Sequence, residues 1–133
     1  MSALVGLFNR TPKDPAKQQN RQNIKEIRRL VKAKKYDDAL RIGLDYLKNV
    51  PEHHDVLFIV GGVFYMQKKY KTAISYFDRA LAIGSYDVEV LSLKANAHHC
   101  LGENKLAIQC CRKIKEIDPK NKFVLELLAK IGP

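Results

Sequence analysis

Three cysteines, Cys100, Cys110 and Cys111, are an odd number without a framework spacing, so no disulfide scaffold is expected and a reducing, cytoplasmic setting is favoured over a secreted one. No apolar run approaches the roughly 18 residues that a membrane-spanning helix needs. The opening MSALVGLF is apolar but short, lacks a preceding basic stretch and has no small-residue cleavage site, so a secretory signal is not expected. Period-two alternation never lasts long enough for a sheet. Paired catalytic carboxylates, a nucleophile elbow and a phosphate loop are all missing, so neither an enzyme nor a cofactor is expected. His98 to Cys100 with Cys110-Cys111 are the only candidates for a metal, but the adjacent histidines point about 100° apart on a helix and no zinc-type spacing appears, so none is expected there. Acids are scarce as well: 14 against 24 Lys and Arg, a formal net charge of +10. With 46% hydrophobic and 29% charged residues, the 133-residue chain suits one globular domain with a core.

What the chain does have is a period. KKYDDAL at Lys34–Leu40 returns as KKYKTAI at Lys68–Ile74. Ala39, Ala73 and Ala107 stand 34 residues apart, as do Val56-Leu57, Val90-Leu91 and Val124-Leu125. Leu40, Ile74 and Ile108 keep the same step, and Pro51 maps through Ser85 to Pro119. No gap is needed, so the chain is a repeat array.

Each copy reads as two helices with a tight turn between them. Ile24, Ile27, Leu30 and Val31 form one helical stripe; after a break near Lys34-Lys35, Ala39, Leu40, Leu44 and Leu47 form a second, ended by Pro51. The next copy repeats this with Leu57, Val60, Gly61 and Phe64, then Ala73, Ile74, Phe77, Ala80 and Leu81. In the third, Gly102 can supply the left-handed residue that closes a helix. One helix pair cannot bury both faces; three in series can, by stacking. Small residues at Gly61, Ala73, Ala80, Ala95 and Ala107 let helices approach closely, and Tyr36 and Tyr70 wedge against the preceding helix. These residues build the fold and leave function to the surface.

The pattern Leu57-x-x-Val60-Gly61-x-x-Phe64 followed by Ala73-x-x-x-Phe77-x-x-Ala80 resembles the tetratricopeptide repeat, with a leucine for the usual tryptophan and Ser85 for the usual proline. The third copy matches through Leu91, Ala95, Gly102, Ala107 and Pro119, with His98 and Cys111 in place of aromatics and Lys94 in place of leucine. The first matches through Tyr36, Ala39 and Pro51, but Glu26 stands where leucine is expected. The resemblance implies an all-α, right-handed α-solenoid of three repeats, 20–53, 54–87 and 88–121. It is preceded by a tail over 1–19 and closed by a capping helix in 122–133.

It also implies a concave groove lined by the first helix of each repeat, the family's surface for peptides and partner helices. The corresponding positions are Arg21, Ile24, Arg28, Val31 and the neighbouring Lys32 in the first repeat. The second supplies Asp55, Phe58, Gly62, Tyr65 and Met66, and the third Glu89, Ser92, Asn96, His99 and Cys100. Two aromatics and a methionine around a missing side chain suit one anchor residue of a partner. Coverage of Phe58 or Tyr65 by a neighbouring repeat is the competing reading. The family's lysine–asparagine clamp for an acidic chaperone tail is not expected: Asn96 suits it, but Ile24 and Gly62 stand where polar residues are wanted. An internal or helical segment is the expected ligand, making the chain an adaptor or scaffold.

Residues 1–35 hold +8 of the net charge. Arg21, Lys25, Arg28, Lys32 and Lys35 recur at steps of four and three, which makes a basic stripe along the first helix. It reads either as a solvated end face or as a contact for an acidic protein surface or anionic membrane. Nucleic acid is not an expected partner, since the stripe lacks interleaved aromatics and no recognition motif appears. The apolar Leu4, Val5, Leu7 and Phe8, ahead of Arg10 and Lys13, leave disorder, protein docking and membrane contact open. One docking option is self-association, with Leu7 or Phe8 in a groove. Any membrane contact makes the chain peripheral.

Overall fold

A computed structural model of the chain describes residues 15–132. The described residues form seven helices and no strand. These are α1 (Pro15–Lys32), α2 (Tyr36–Asn49), α3 (His54–Met66), α4 (Tyr70–Ile83), α5 (Val88–Cys100), α6 (Asn104–Ile117) and α7 (Lys122–Ile131). They pair as α1–α2, α3–α4 and α5–α6, below called units 1, 2 and 3, with α7 following. Each helix packs on the next. The first helices also touch one another, α1 to α3, α3 to α5 and α5 to α7, whereas α2, α4 and α6 make no such contacts among themselves. The first helices therefore form the inner row of the stack and the second helices its outer row.

The turn inside each unit is the same piece of backbone three times. The amides of Lys35, Lys69 and Glu103 donate to the carbonyls of Leu30, Phe64 and His98, while those of Lys34, Lys68 and Gly102 donate to Val31, Tyr65 and His99. This double closure needs a left-handed residue just past the helix. Gly102 takes it at φ 76°, and Lys34 and Lys68 take it at 60° and 62°. Between units the signal is a side-chain cap. His53, Asp87 and Asn121, again 34 apart, accept from the amides of Val56, Val90 and Val124. Such caps satisfy amides that the first turn leaves without partners.

Gln19 holds the equivalent position in unit 1. With no cap there, α1 runs upstream to Pro15, a residue whose fixed φ and missing amide suit the first turn. Residues 15–19 therefore belong to the helix, not to the tail expected over 1–19. A second correction concerns the basic stripe. Helix α1 ends at Lys32 and Lys34 turns left-handed, so Lys35 precedes α2 and lies off the helix that carries Arg21, Lys25, Arg28 and Lys32. The apolar stretch Leu4–Phe8, and with it the expected docking or membrane role, lies outside the described residues.

The core follows the repeat. Ile27, Leu30, Ala39, Tyr46 and Leu47 continue into Val56, Leu57, Val60, Val63, Ala73, Phe77 and Ala80 of unit 2. A second cluster joins Leu91, Ala95, Cys110, Cys111 and Ile114 to Val124 and Leu127 of α7. Gly61 is buried because Phe77 lies over it: a Cβ there would stand 2.7 Å from the ring. Burial pushes the thiols of Cys110 and Cys111 up from their ordinary range. Lys94, where leucine is usual, is kept by a 2.6 Å ion pair with Asp78 of α4.

Candidate functional site

The inner row presents the side chains that face away from the second helices. On α3, Phe58, Gly62 and Tyr65 follow at steps of four and three and share one face. Gly62 opens onto free space, since a Cβ there meets nothing within 4 Å. The two aromatics beside it are anchored. Phe58 is half-buried and its ring tilts against Phe77, centroids 6.3 Å apart. Tyr65 meets Tyr70 edge-on at 5.6 Å, and its hydroxyl accepts from the side-chain amide of Asn96 on α5. Both rings are thus half-buried by packing partners, as the competing reading expected, while the position of Gly62 between them is open.

At the carboxy-terminal end of the groove helices, Met66 is 57% exposed. Cys100 is exposed too and neighbours the phenol of Tyr70. The neighbouring thiol, with lost hydration, holds the Tyr70 phenol above its usual pKa. His99 is turned away toward α6, where its Nδ1 lies 3.3 Å from Asn104 Oδ1. Ser92 is half-buried and Glu89 exposed. His98 is buried, with Nδ1 3.0 Å from Glu103 Oε1. Among the described residues, no group of three or more His, Cys, Asp or Glu is placed to hold a metal ion.

The opposite end carries the charge. Arg28 lies 3.5 Å from Asp55, so one cation of the stripe is tied to α3. Asp55 Oδ1 lies 3.3 Å from His54 Nδ1, and His54 Nε2 lies 3.2 Å from Asp87 Oδ2. This Arg28–Asp55–His54–Asp87 series runs from α1 across the start of α3 to the residue that caps α5. Arg21, Lys25 and Lys32 are exposed and, among the described residues, make no ion pair. Ile24 is half-buried against the unit 1 core, and Val31 likewise. Arg29, off the stripe, clasps Glu26 at 2.6 Å and holds its carboxyl below the usual range.

The groove positions expected from the sequence lie on the inner-row helices α1, α3 and α5, and His99 Nδ1 is engaged by Asn104 of α6. His54, Tyr70 and Asp87 were missed. Tyr70 was read only as a corner residue and Asp87 shows in the sequence only as a helix cap. His54 owes its role to contacts between units that no local pattern reports. Among the described residues, no helix is long and apolar enough to cross a membrane.

The family model for the tetratricopeptide repeat matches residues 24–88. No curated protein's sequence matches the chain. Among solved structures, the first tetratricopeptide domain of Spaghetti (RPAP3), bound to the HSP90 peptide SRMEEVD, superposes with a TM-score of 0.80 at 20% identity, over 86% of this chain and 90% of that one. The tetratricopeptide domain of Arabidopsis OM64 gives 0.79 at 15% identity, over 86% and 94%. The Hsp90 co-chaperone Cns1 from Saccharomyces cerevisiae gives 0.80 at 21% identity, over 91% of this chain and 40% of that one. Residues 24–88 therefore belong to the tetratricopeptide repeat family, and the helical array around them has the fold of its solved domains.

Proposed function

We propose that the chain is a non-enzymatic interaction module that binds an acidic peptide or helix along the inner row, anchored by one bulky apolar residue above Gly62. The observation that carries this is the open space at Gly62 between Phe58 and Tyr65. A mid-helix glycine lowers helix stability by about 0.5–1 kcal/mol relative to alanine, and a missing side chain there leaves room for a ligand. Exposed Arg21, Lys25 and Lys32 lie on the same row and favour an acidic partner. The ligand in the Spaghetti structure, SRMEEVD, is itself acidic. Here, however, Ile24 and Gly62 offer no polar grip, and Asn96 is engaged by Tyr65. Recognition therefore rests on side chains of an internal segment, not on a terminal carboxylate.

Isothermal titration with SRMEEVD, its carboxy-amidated form, and amidated acidic peptides bearing one Phe or Leu tests this. The amidated apolar peptides are expected to bind, and Gly62→Leu to weaken them about tenfold or more. Leucine raises helix propensity and its Cβ meets nothing within 4 Å, so thermal unfolding of the variant is expected to match the parent and is measured beside the titration. Undiminished binding to Gly62→Leu, or binding of SRMEEVD that amidation abolishes, would overturn the reading.

The exposed stripe favours a second reading, a tether to an acidic surface or anionic membrane. Phosphatidylserine vesicles at low salt, with Arg21, Lys25, Arg28 and Lys32 changed to glutamine, form its arm of the experiment. Equal binding by both proteins leaves the stripe a solvated face.

A further inference from the structure

The ion pair that ties units 1 and 2 has no counterpart between units 2 and 3. Arg28 on α1 reaches Asp55 on α3 at 3.5 Å. One 34-residue step along, the same two positions hold Gly62 on α3 and Glu89 on α5. The two acids stand alike on their helices, each two residues past the side chain that caps the first turn, His53 for α3 and Asp87 for α5. A helix dipole favours an acid in that turn, which accounts for both carboxylates. What differs is the partner. Asp55 has Arg28, whereas Glu89 is exposed and makes no ion pair among the described residues. In the place of Arg28 stands Gly62, where a Cβ would meet nothing within 4 Å. A further step gives Asn96 and Phe123, which carry no charge. By the repeat, Glu89 is a carboxylate left within an arginine's reach of an open position.

We propose that the partner supplies the missing cation: the segment seated above Gly62 carries a lysine or arginine beside its apolar anchor, and that head group meets Glu89. The inference rests on the groove reading above and deepens it by fixing the order of charge along the ligand. Charge complementarity identifies the occupant. Exposed Arg21, Lys25 and Lys32 lie on α1 and exposed Glu89 on α5, and α3 with Gly62 packs between those two helices. The ligand therefore turns its acids toward unit 1 and its base toward unit 3, with the anchor in the middle. The stem of a lysine or arginine suits the half-buried rings of Phe58 and Tyr65, while its head stays in water. An exposed pair of this kind selects among partners more than it tightens any one of them.

Isothermal titration at low salt tests the proposal with three amidated peptides, each an acidic stretch, one Phe and then Lys, Gln or Glu, and with the same three in reversed order. In the better-binding order, the Lys peptide is expected to bind about threefold tighter than the Gln peptide and about tenfold tighter than the Glu peptide. The preference is expected to shrink with added salt, to vanish in Glu89→Gln and to reverse in Glu89→Lys. Both variants change an exposed side chain, so their thermal unfolding should match the parent, and Glu89→Gln keeps the size of the residue. Equal binding of the three peptides in both orders, or a preference that survives Glu89→Gln, overturns the cation site and leaves the apolar anchor standing. No binding by any of the six peptides overturns the groove reading and the cation site with it.

Discussion

Units 1 and 2 carry nearly the same phrase at their inner corners, yet α3 buries Val56, Leu57, Val60, Gly61 and Val63 whereas α1 buries Ile27 and Leu30. Helix α3 meets α1, α2, α4 and α5; α1 meets only α2 and α3 among the described helices. The positions where unit 1 departs from the repeat are those that lose a neighbour. Glu26 holds the place of Val60, which in unit 2 packs toward Gly43 of the preceding unit, and at Glu26 no described helix precedes it. Asn23 holds the place of Leu57, and a recess of about 640 Å³ lies between α1 and α2, lined by Asn20, Asn23 and Glu26 with Ile42, Asp45 and Tyr46. The pairing of sizes differs too. Unit 2 sets Gly61 under Phe77, while unit 1 has Ile27 and Gly43 at the equivalent positions, and Val60 of the next unit fills the room Gly43 leaves. Where unit 1 departs from the repeat, its residues meet fewer of the described helices.

The contrast breaks first at its tightest point. Phe77→Ala should lower stability by about 3–5 kcal/mol through the cavity it leaves, and Gly61→Ile by about 1–3 kcal/mol through overpacking. If the two sizes compensate, as unit 1's arrangement implies, the double variant will fall short of the summed losses by at least about 1 kcal/mol in urea unfolding. Simple additivity would show that Gly61 and Phe77 are not a matched pair. A smaller effect is expected at the open end. Asn23→Leu, which copies Leu57 into unit 1, should raise stability by roughly 1 kcal/mol as the recess closes on apolar surface; an unchanged or lower urea midpoint would mean that the recess keeps its water.

The smallest effect tests where the units agree. Lys34 and Lys68 both take a left-handed conformation that disfavours side chains by about 1–2 kcal/mol, partly offset by glycine's extra freedom when unfolded. Lys34→Gly and Lys68→Gly should each stabilise by roughly 0.5 kcal/mol, and Gly102→Lys should destabilise by a similar amount. Different signs at Lys34 and Lys68 would mean that the two turns are not equivalent.

Much of this was legible before any coordinates. A gapless 34-residue period, helical apolar stripes and small residues at fixed places determine paired helices and their stacking, because each copy must bury the same face against the same neighbour. Local chemistry carried further than it was taken: His53, Asp87 and Asn121 keep the period as caps, and Gln19, where a cap is due, explains why α1 reaches Pro15. The expected groove positions could be assigned to faces of their own helices, since spacing on a helix fixes direction. Their state could not. That Tyr65 is bonded by Asn96, that Arg28 is tied to Asp55, and that His54 bridges Asp55 and Asp87 depend on helices from different units meeting at particular heights. The same holds for Leu125, identical in pattern to Leu57 and Leu91 and opposite in exposure. Sequence determined which face each residue occupies; only the tertiary structure decided what stands across from it, because burial belongs to both sides of a contact.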